Sequence, residues 1–136
     1  MAIMAARRTI VDTDIIIDYL RRRERTLELA LQQFECSITA ISWYELNAVS
    51  RHSPRQQHLI ARIPEILPVI PFDHRAADYA ATIWRQLREI GQSVGISDTL
   101  IAGICLANGM PLLTKNVRHF SRIDGLEVIS PEMLGI

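Results

Sequence analysis

Thr9-Ile10-Val11-Asp12-Thr13-Asp14 is the stretch on which the fold turns. Its first three residues read as a short buried strand that runs straight into an acid. Immediately afterwards Ile15, Ile16, Tyr19 and Leu20 recur at the spacing of one helix face. A strand that ends in an acid and passes at once into a helix opens an α/β unit, and the alternation continues down the chain. A helix is predicted over residues 26–34 and a strand near Cys36-Ser37-Ile38. A helix follows with Ser42 as N-cap and Glu45 completing a capping box, running toward Val49 until residues 51–54 break it. Residues 56–63 read as a short helix, and Val69-Ile70 as a third strand bounded by Pro68 and Pro71. A long amphipathic helix is predicted from Asp73 to about Ile90, stopped by Gly91. Ser97-Asp98 then opens a strongly apolar helix over residues 99–107, ended by Asn108-Gly109, before strands at Leu112-Leu113 and Glu127-Val128-Ile129.

Strands written as short continuous apolar runs are buried on both faces, as parallel strands are between layers of helices. The expected fold class is therefore α/β: a three-layer α/β/α sandwich with a short, mainly parallel central sheet, residues 1–136 forming a single domain. A chain of 136 residues, 49% hydrophobic, can bury a core of that kind. No apolar run approaches the ~18 to 20 residues of a membrane span, so no membrane partner is expected and the expected location is cytoplasmic. Cys36 and Cys105 lack the spacing of a zinc site and read as buried free thiols.

Formal net charge is zero, which sets the chain apart from strongly basic nucleic-acid binders. Fourteen of the fifteen basic residues are arginine, four of them clustered at Arg21, Arg22, Arg23 and Arg25. Arginine's planar fork suits phosphate, but the ordinary reading of such a run is a solvated helix face.

Three acids stand where a parallel sheet collects its ligands, just beyond the carboxyl ends of the strands. Asp12 follows the first strand, Glu45 lies in the helix after the second, and Asp98 opens the apolar helix. Each alone is explained by helix capping. Together they would repel and raise one another's pKa. A divalent cation, Mg²⁺ or Mn²⁺, resolves that conflict, because a hard ion takes oxygen ligands and keeps several waters. Such a site serves phosphodiester hydrolysis. Asp14 shares the first turn with Asp12, whereas Asp18 is read as a surface residue paired with Arg21 or Arg22. His52, His58 and His74 are read as surface residues, and Trp43 and Tyr44 as core or interface.

Val11-Asp12-Thr13-Asp14-Ile15, Ser42-Trp-Tyr-Glu45-Leu46 and Gly95-Ile-Ser-Asp98-Thr-Leu-Ile-Ala102, running on through Leu112-Leu-Thr114-Lys-Asn116 to His119-Phe120, carry a family likeness in their order and spacing. Together they resemble the PIN domain, and within it the VapC-type toxins of bacterial toxin–antitoxin modules. The resemblance implies a PIN-like fold and a Mg²⁺-dependent endoribonuclease acting on RNA, with Asp12, Glu45 and Asp98 as the acidic triad and Asp12 and Asp98 holding metal. It also implies a small antitoxin as partner and a toxin homodimer. The sequence departs from the family at the fourth acidic position, where Asn116 stands at one candidate position and His119 at another. Thr114 can hydrogen-bond a carboxylate there, and Asp14 stands where the family often has Asn. The departure counts against a tightly held second metal.

Two other readings share these residues. A hydrophobic strand followed by Asp12-Thr13-Asp14 also resembles haloacid-dehalogenase phosphatases, with Asp12 as nucleophile. That family needs an acidic pair beyond its lysine, and only the scattered Asp124, Glu127 and Glu132 follow Lys115. The other reading is a catalytically inactive PIN-like binding module whose acids merely cap helices.

Overall fold

The structure is a computed structural model, and it describes residues 7–48 and 51–135. Five strands, β1 Arg8–Val11, β2 Glu35–Thr39, β3 Val69–Ile70, β4 Leu112–Leu113 and β5 Val128–Ile129, form one sheet in the order β3-β2-β1-β4-β5. Every pairing among them is parallel, with Ile10 opposite both Ser37 and Leu112. The helices are α1 Thr13–Leu20, α2 Thr26–Gln33, α3 Ala40–Ala48, α4 Pro54–Ile66, α5 His74–Glu89, α6 Ile96–Ala107 and α7 Val117–Phe120.

Because strand side chains alternate between faces, the central strands feed two cores. Val11 and Leu113 enter one, packed with Ile15, Ile16 and Leu20 of α1, Leu27 of α2 and Ile60 and Ile63 of α4. Ile10 and Leu112 enter the other, against Ala76, Ile83 and Leu87 of α5 and Ile101 and Ile104 of α6. Helices thus cover both faces of the sheet, and the α/β/α expectation holds. Among the described residues no helix is long and apolar enough to cross a membrane.

Helix boundaries depart from the sequence reading in three places. Helix α3 begins at Ala40, not after Ser42, because the Thr39 hydroxyl accepts from the Ser42 N–H at 3.0 Å and caps the helix three residues earlier. Ser42 and Glu45 therefore form no capping box. The capping box in this part of the chain is Ser53 with Gln56, which opens α4 with Pro54 in its first turn and makes it longer than the residues 56–63 expected. Helix α6 starts at Ile96, with Gly95 as N-cap at φ 83°. Such a backbone is open to glycine and strained for other residues. The Gly95 carbonyl takes both the N–H and the hydroxyl of Thr99. The predicted extension of α3 to Val49 lies outside the described residues.

Helices α5 and α6 cross closely at Gly103, where a methyl group would stand 2.6 Å from the Ala76 carbonyl oxygen and 2.8 Å from Ala80 Cβ. The first contact is with backbone, so the helices themselves must move apart to admit it. Gly103→Ala is expected to lower the unfolding free energy by about 1–3 kcal/mol, overpacking outweighing alanine's better helix propensity. Urea denaturation measures it.

Candidate active site

The strand order reverses between β1 and β4, and α/β sheets bind ligands beyond the carboxyl ends of strands at such a point. Register brings Val11 opposite Leu113, so the next residue on each strand, Asp12 and Thr114, emerges side by side. Both are buried, Asp12 6% and Thr114 0% exposed. The Thr114 hydroxyl donates to Asp12 Oδ2 at 2.7 Å, and Asp12 Oδ1 accepts from the Thr13 N–H at 2.8 Å as the cap of α1.

Two residues on, in the first turn of α1, Asp14 folds back over the same strand end. Its Oδ2 accepts from the Lys115 N–H at 3.1 Å and lies 3.3 Å from Thr114 Oγ1. Asp14 Oδ1 is buried and has no hydrogen-bond partner among the described residues. Asp98 approaches from α6, its Oδ2 2.9 Å from His119 Nε2. No backbone N–H caps onto Asp98 among the described residues, so the capping role that fits Asp12 does not fit Asp98.

These carboxylates share one electrostatic environment. Burial, with the Asp14 charge second and Asp98 a smaller contribution, pushes the Asp12 carboxyl up to about 7 against the pull of the Thr114 and Thr13 hydrogen bonds. Burial likewise raises Asp14 and Asp98, offset at Asp14 chiefly by the hydrogen bond from the Lys115 N–H and at Asp98 by His119. An orphaned, buried carboxylate oxygen beside two further acids fits a hard cation held by oxygen. Among the described residues no three His, Cys, Asp or Glu side chains already converge as a ligand cage. A site of one or two carboxylates completed by water is the donor set this arrangement offers.

Glu45 reaches the same rim through Thr13, whose hydroxyl donates to Glu45 Oε1 at 2.8 Å and lies 2.8 Å from Ser42 Oγ. A carboxylate only accepts, so Thr13 gives its proton to Glu45 and accepts one from Ser42. Asn116 is exposed, and its backbone N–H donates to Thr114 Oγ1 at 3.0 Å. Its side chain makes no protein hydrogen bond among the described residues.

Several readings change. Asp18 is not a surface residue: it is 3% exposed, and Lys115 Nζ pairs with its Oδ2 at 2.6 Å. Sequence proximity favoured Arg21 and Arg22, but the sheet brings the one lysine 97 positions away onto the inward face of α1. Arg21, Arg22, Arg23 and Arg25 lie in the connection between α1 and α2 and not along a helix face. Arg22, Arg23 and Arg25 line a cleft of about 750 Å³ with Arg55 and Glu28, to which none of the clustered acids contributes. His52 is half-buried and hydrogen-bonded to the Leu46 carbonyl, whereas His58 and His74 are exposed as expected. Trp43 packs against the core and Tyr44 is 62% exposed. Cys36 and Cys105 are buried free thiols, as expected, and burial pushes the Cys36 thiol up to about 11. The role of Thr13 and the His119–Asp98 contact had no local signal in the sequence.

Comparison with known proteins agrees with this architecture. The sequence model of a family described as the PIN domain matches residues 9–126. Ribonuclease VapC1 of Methanocaldococcus jannaschii is 30% identical over 121 residues, covering 88% of this chain and 85% of that protein. The tRNA(fMet)-specific endonuclease VapC of Shigella flexneri is 27% identical, over 85% of this chain and 92% of its own. Among solved structures, VapBC-1 from nontypeable Haemophilus influenzae superposes with a TM-score of 0.80 at 22% identity, over 92% of this chain and 98% of that one. DNA-bound VapBC from Salmonella typhimurium gives 0.77 at 23% identity, over 92% and 98%. These two likenesses are of fold.

Two outcomes follow from the site itself. Removing the ammonium in Lys115→Met leaves the Asp18 charge buried and unpaired, and is expected to cost about 1–3 kcal/mol in urea unfolding at pH 7. Adding Asp18→Leu restores most of the loss. The second outcome concerns pH. With Asp12 raised to about 7, the folded state keeps a proton that the unfolded chain has released above about pH 4. Metal-free wild type should therefore lose stability relative to Asp12→Asn as pH rises from about 4 to about 7, with the gap constant above. A gap unchanged across that interval contradicts the burial argument.

Proposed function

The chain belongs to the PIN-domain family, within its VapC-type ribonucleases, and on that premise we propose that it is a metal-dependent endoribonuclease, the toxin of a toxin–antitoxin pair. The observation that carries the reading is the group Asp12, Asp14 and Asp98 at the strand-order reversal, with one buried Asp14 oxygen left without a partner. Names of relatives support the activity, two of them being called ribonuclease VapC1 and a tRNA(fMet)-specific endonuclease.

Asp12 and Asp98 are the proposed ligands of Mg²⁺, or of Mn²⁺ in its place, with Asp14 as a further oxygen donor. Such an ion supplies a water of lowered pKa and neutralises charge that develops on the phosphodiester. Thr114 and the Thr13 N–H hold both Asp12 oxygens in one orientation. Glu45, oriented by Thr13, is the proposed acceptor of a proton from the attacking water. The exposed Asn116, in place of a fourth acid, leaves the site short of the charge that a tightly held second cation needs. The phosphatase reading gains nothing from the geometry, because the lysine it requires is committed to Asp18.

A small antitoxin is the proposed partner, supported by folds of the same kind in a toxin–antitoxin complex from Klebsiella pneumoniae and in a VapBC toxin–antitoxin system from Mycobacterium tuberculosis. A homodimer and a single PIN-like domain over residues 1–136 belong to the same proposal.

Purified, antitoxin-free protein is expected to cleave structured RNA with Mg²⁺ or Mn²⁺ and to stop on chelation. Asp12→Asn and Asp98→Asn are each expected to reduce cleavage by at least about a hundredfold, the scale of losing several kcal/mol of charge stabilisation by a bound metal ion. Equal cleavage by wild type and Asp98→Asn removes the site assignment.

A further inference from the structure

We propose that His119 is a positioning residue for Asp98, fixing the carboxylate through its Nε2–H and not serving as a ligand in place of the fourth acid. The inference rests on the ribonuclease reading above and deepens it. His119 lies on α7 and reaches across to the opening of α6, where Nε2 stands 2.8 Å from the Val94 carbonyl oxygen and 2.9 Å from Asp98 Oδ2.

A carbonyl only accepts, so the contact with Val94 requires a proton on Nε2 whatever the charge of the ring. The same N–H points between both acceptors and is shared by them. A protonated nitrogen has no lone pair for a cation, which removes Nε2 from any ligand set. The ring is held for this purpose. It meets Phe120 edge-on with centroids 5.5 Å apart, and Phe120 is 1% exposed in the core.

Asp98 depends on this one contact. Its Oδ2 has no other protein donor among the described residues, and its Oδ1 has none, leaving that oxygen available to a ligand. Asp12 is held by two donors, Thr13 and Thr114, so the two proposed metal ligands are fixed by different means. Segment 114–119 supplies a donor to all three clustered acids: Thr114 to Asp12, the Lys115 N–H to Asp14, and His119 to Asp98. Donors orient carboxylate ligands and determine how well they bind. Where a fourth acid would add a ligand, this chain adds an outer donor.

The test is calorimetric titration of Mn²⁺ into the full-length, antitoxin-free protein, beside RNA cleavage. His119→Ala is expected to weaken Mn²⁺ binding by about ten- to a hundredfold. His119→Gln, whose amide N–H can reach the position of Nε2, recovers most of that loss. His119→Leu keeps bulk against Phe120 without a donor and must behave as His119→Ala does, which covers the case in which truncation costs the fold. In the Asp98→Asn background, removal of His119 must change nothing further.

Wild-type Mn²⁺ affinity in His119→Leu, with Asp98→Asn impaired, overturns the positioning role and leaves the proposed function standing. A loss in His119→Gln equal to that in His119→Leu makes the imidazole a ligand and overturns it too. Wild-type affinity in Asp98→Asn removes the metal role of Asp98, and with it both this inference and the site assignment beneath it.

Discussion

The hydroxyl of Thr114 has one proton to give, and it goes to Asp12 across the ends of the two central strands. Parallel register puts the two residues next to each other, and both are buried. The rest of the site is arranged around that use of one donor. With Thr114 committed, Asp14 relies on the Lys115 backbone for one oxygen and has nothing for the other. Burying carboxylates with too few donors is expensive unless something neutralises them. Burial and the neighbouring Asp14 charge accordingly push the Asp12 carboxyl up to about 7. A proton and a divalent ion are two answers to the same shortage of positive charge.

The fold makes that shortage possible without making it general. Each central strand sends one side chain into each core, so the sheet is clamped between helices and the strand ends are rigid supports. Gly103 lets α5 and α6 meet closely, which sets the seat of the helix that carries Asp98. The buried Asp18–Lys115 pair ties α1 to the segment after β4 and brings the Lys115 N–H to Asp14. The buried ion pair and the contacts to the three proposed ligands thus run through the same six residues, from Thr114 to His119.

Much of this was legible in the sequence, and the exceptions have physical causes. The inner strands could be located because a short apolar run between two helical periods fits little except a buried strand, β1 and β5 were marked by apolar runs near the two ends of the chain, and Asp12 and Asp98 could be named as candidates from their places at a strand end and a helix start. Asp18 was misread because its local neighbours are arginines while its partner is distant in sequence, and only the tertiary fold could choose between them. Ser42 looked like a cap because its chemistry is right, but Thr39 offers the same hydroxyl at the end of β2 and is reached first. The capping box that does form, at Ser53 and Gln56, was hidden by a Ser-Pro pair that reads as a helix breaker. His119 could be flagged as a departure from the family pattern, but its contact with Asp98 crosses 21 residues and has no periodic trace.

Asp12, Asp14 and Asp98 are proposed to be gathered around a divalent cation. Anomalous diffraction from crystals of the protein grown with Mn²⁺ tests that proposal most directly. A peak is expected at ligating distance from Asp12 and Asp98 oxygens, with Asp14 Oδ1 acquiring the ion or one of its waters as partner. A fully ordered site at saturating Mn²⁺ that shows no peak among these carboxylates contradicts it.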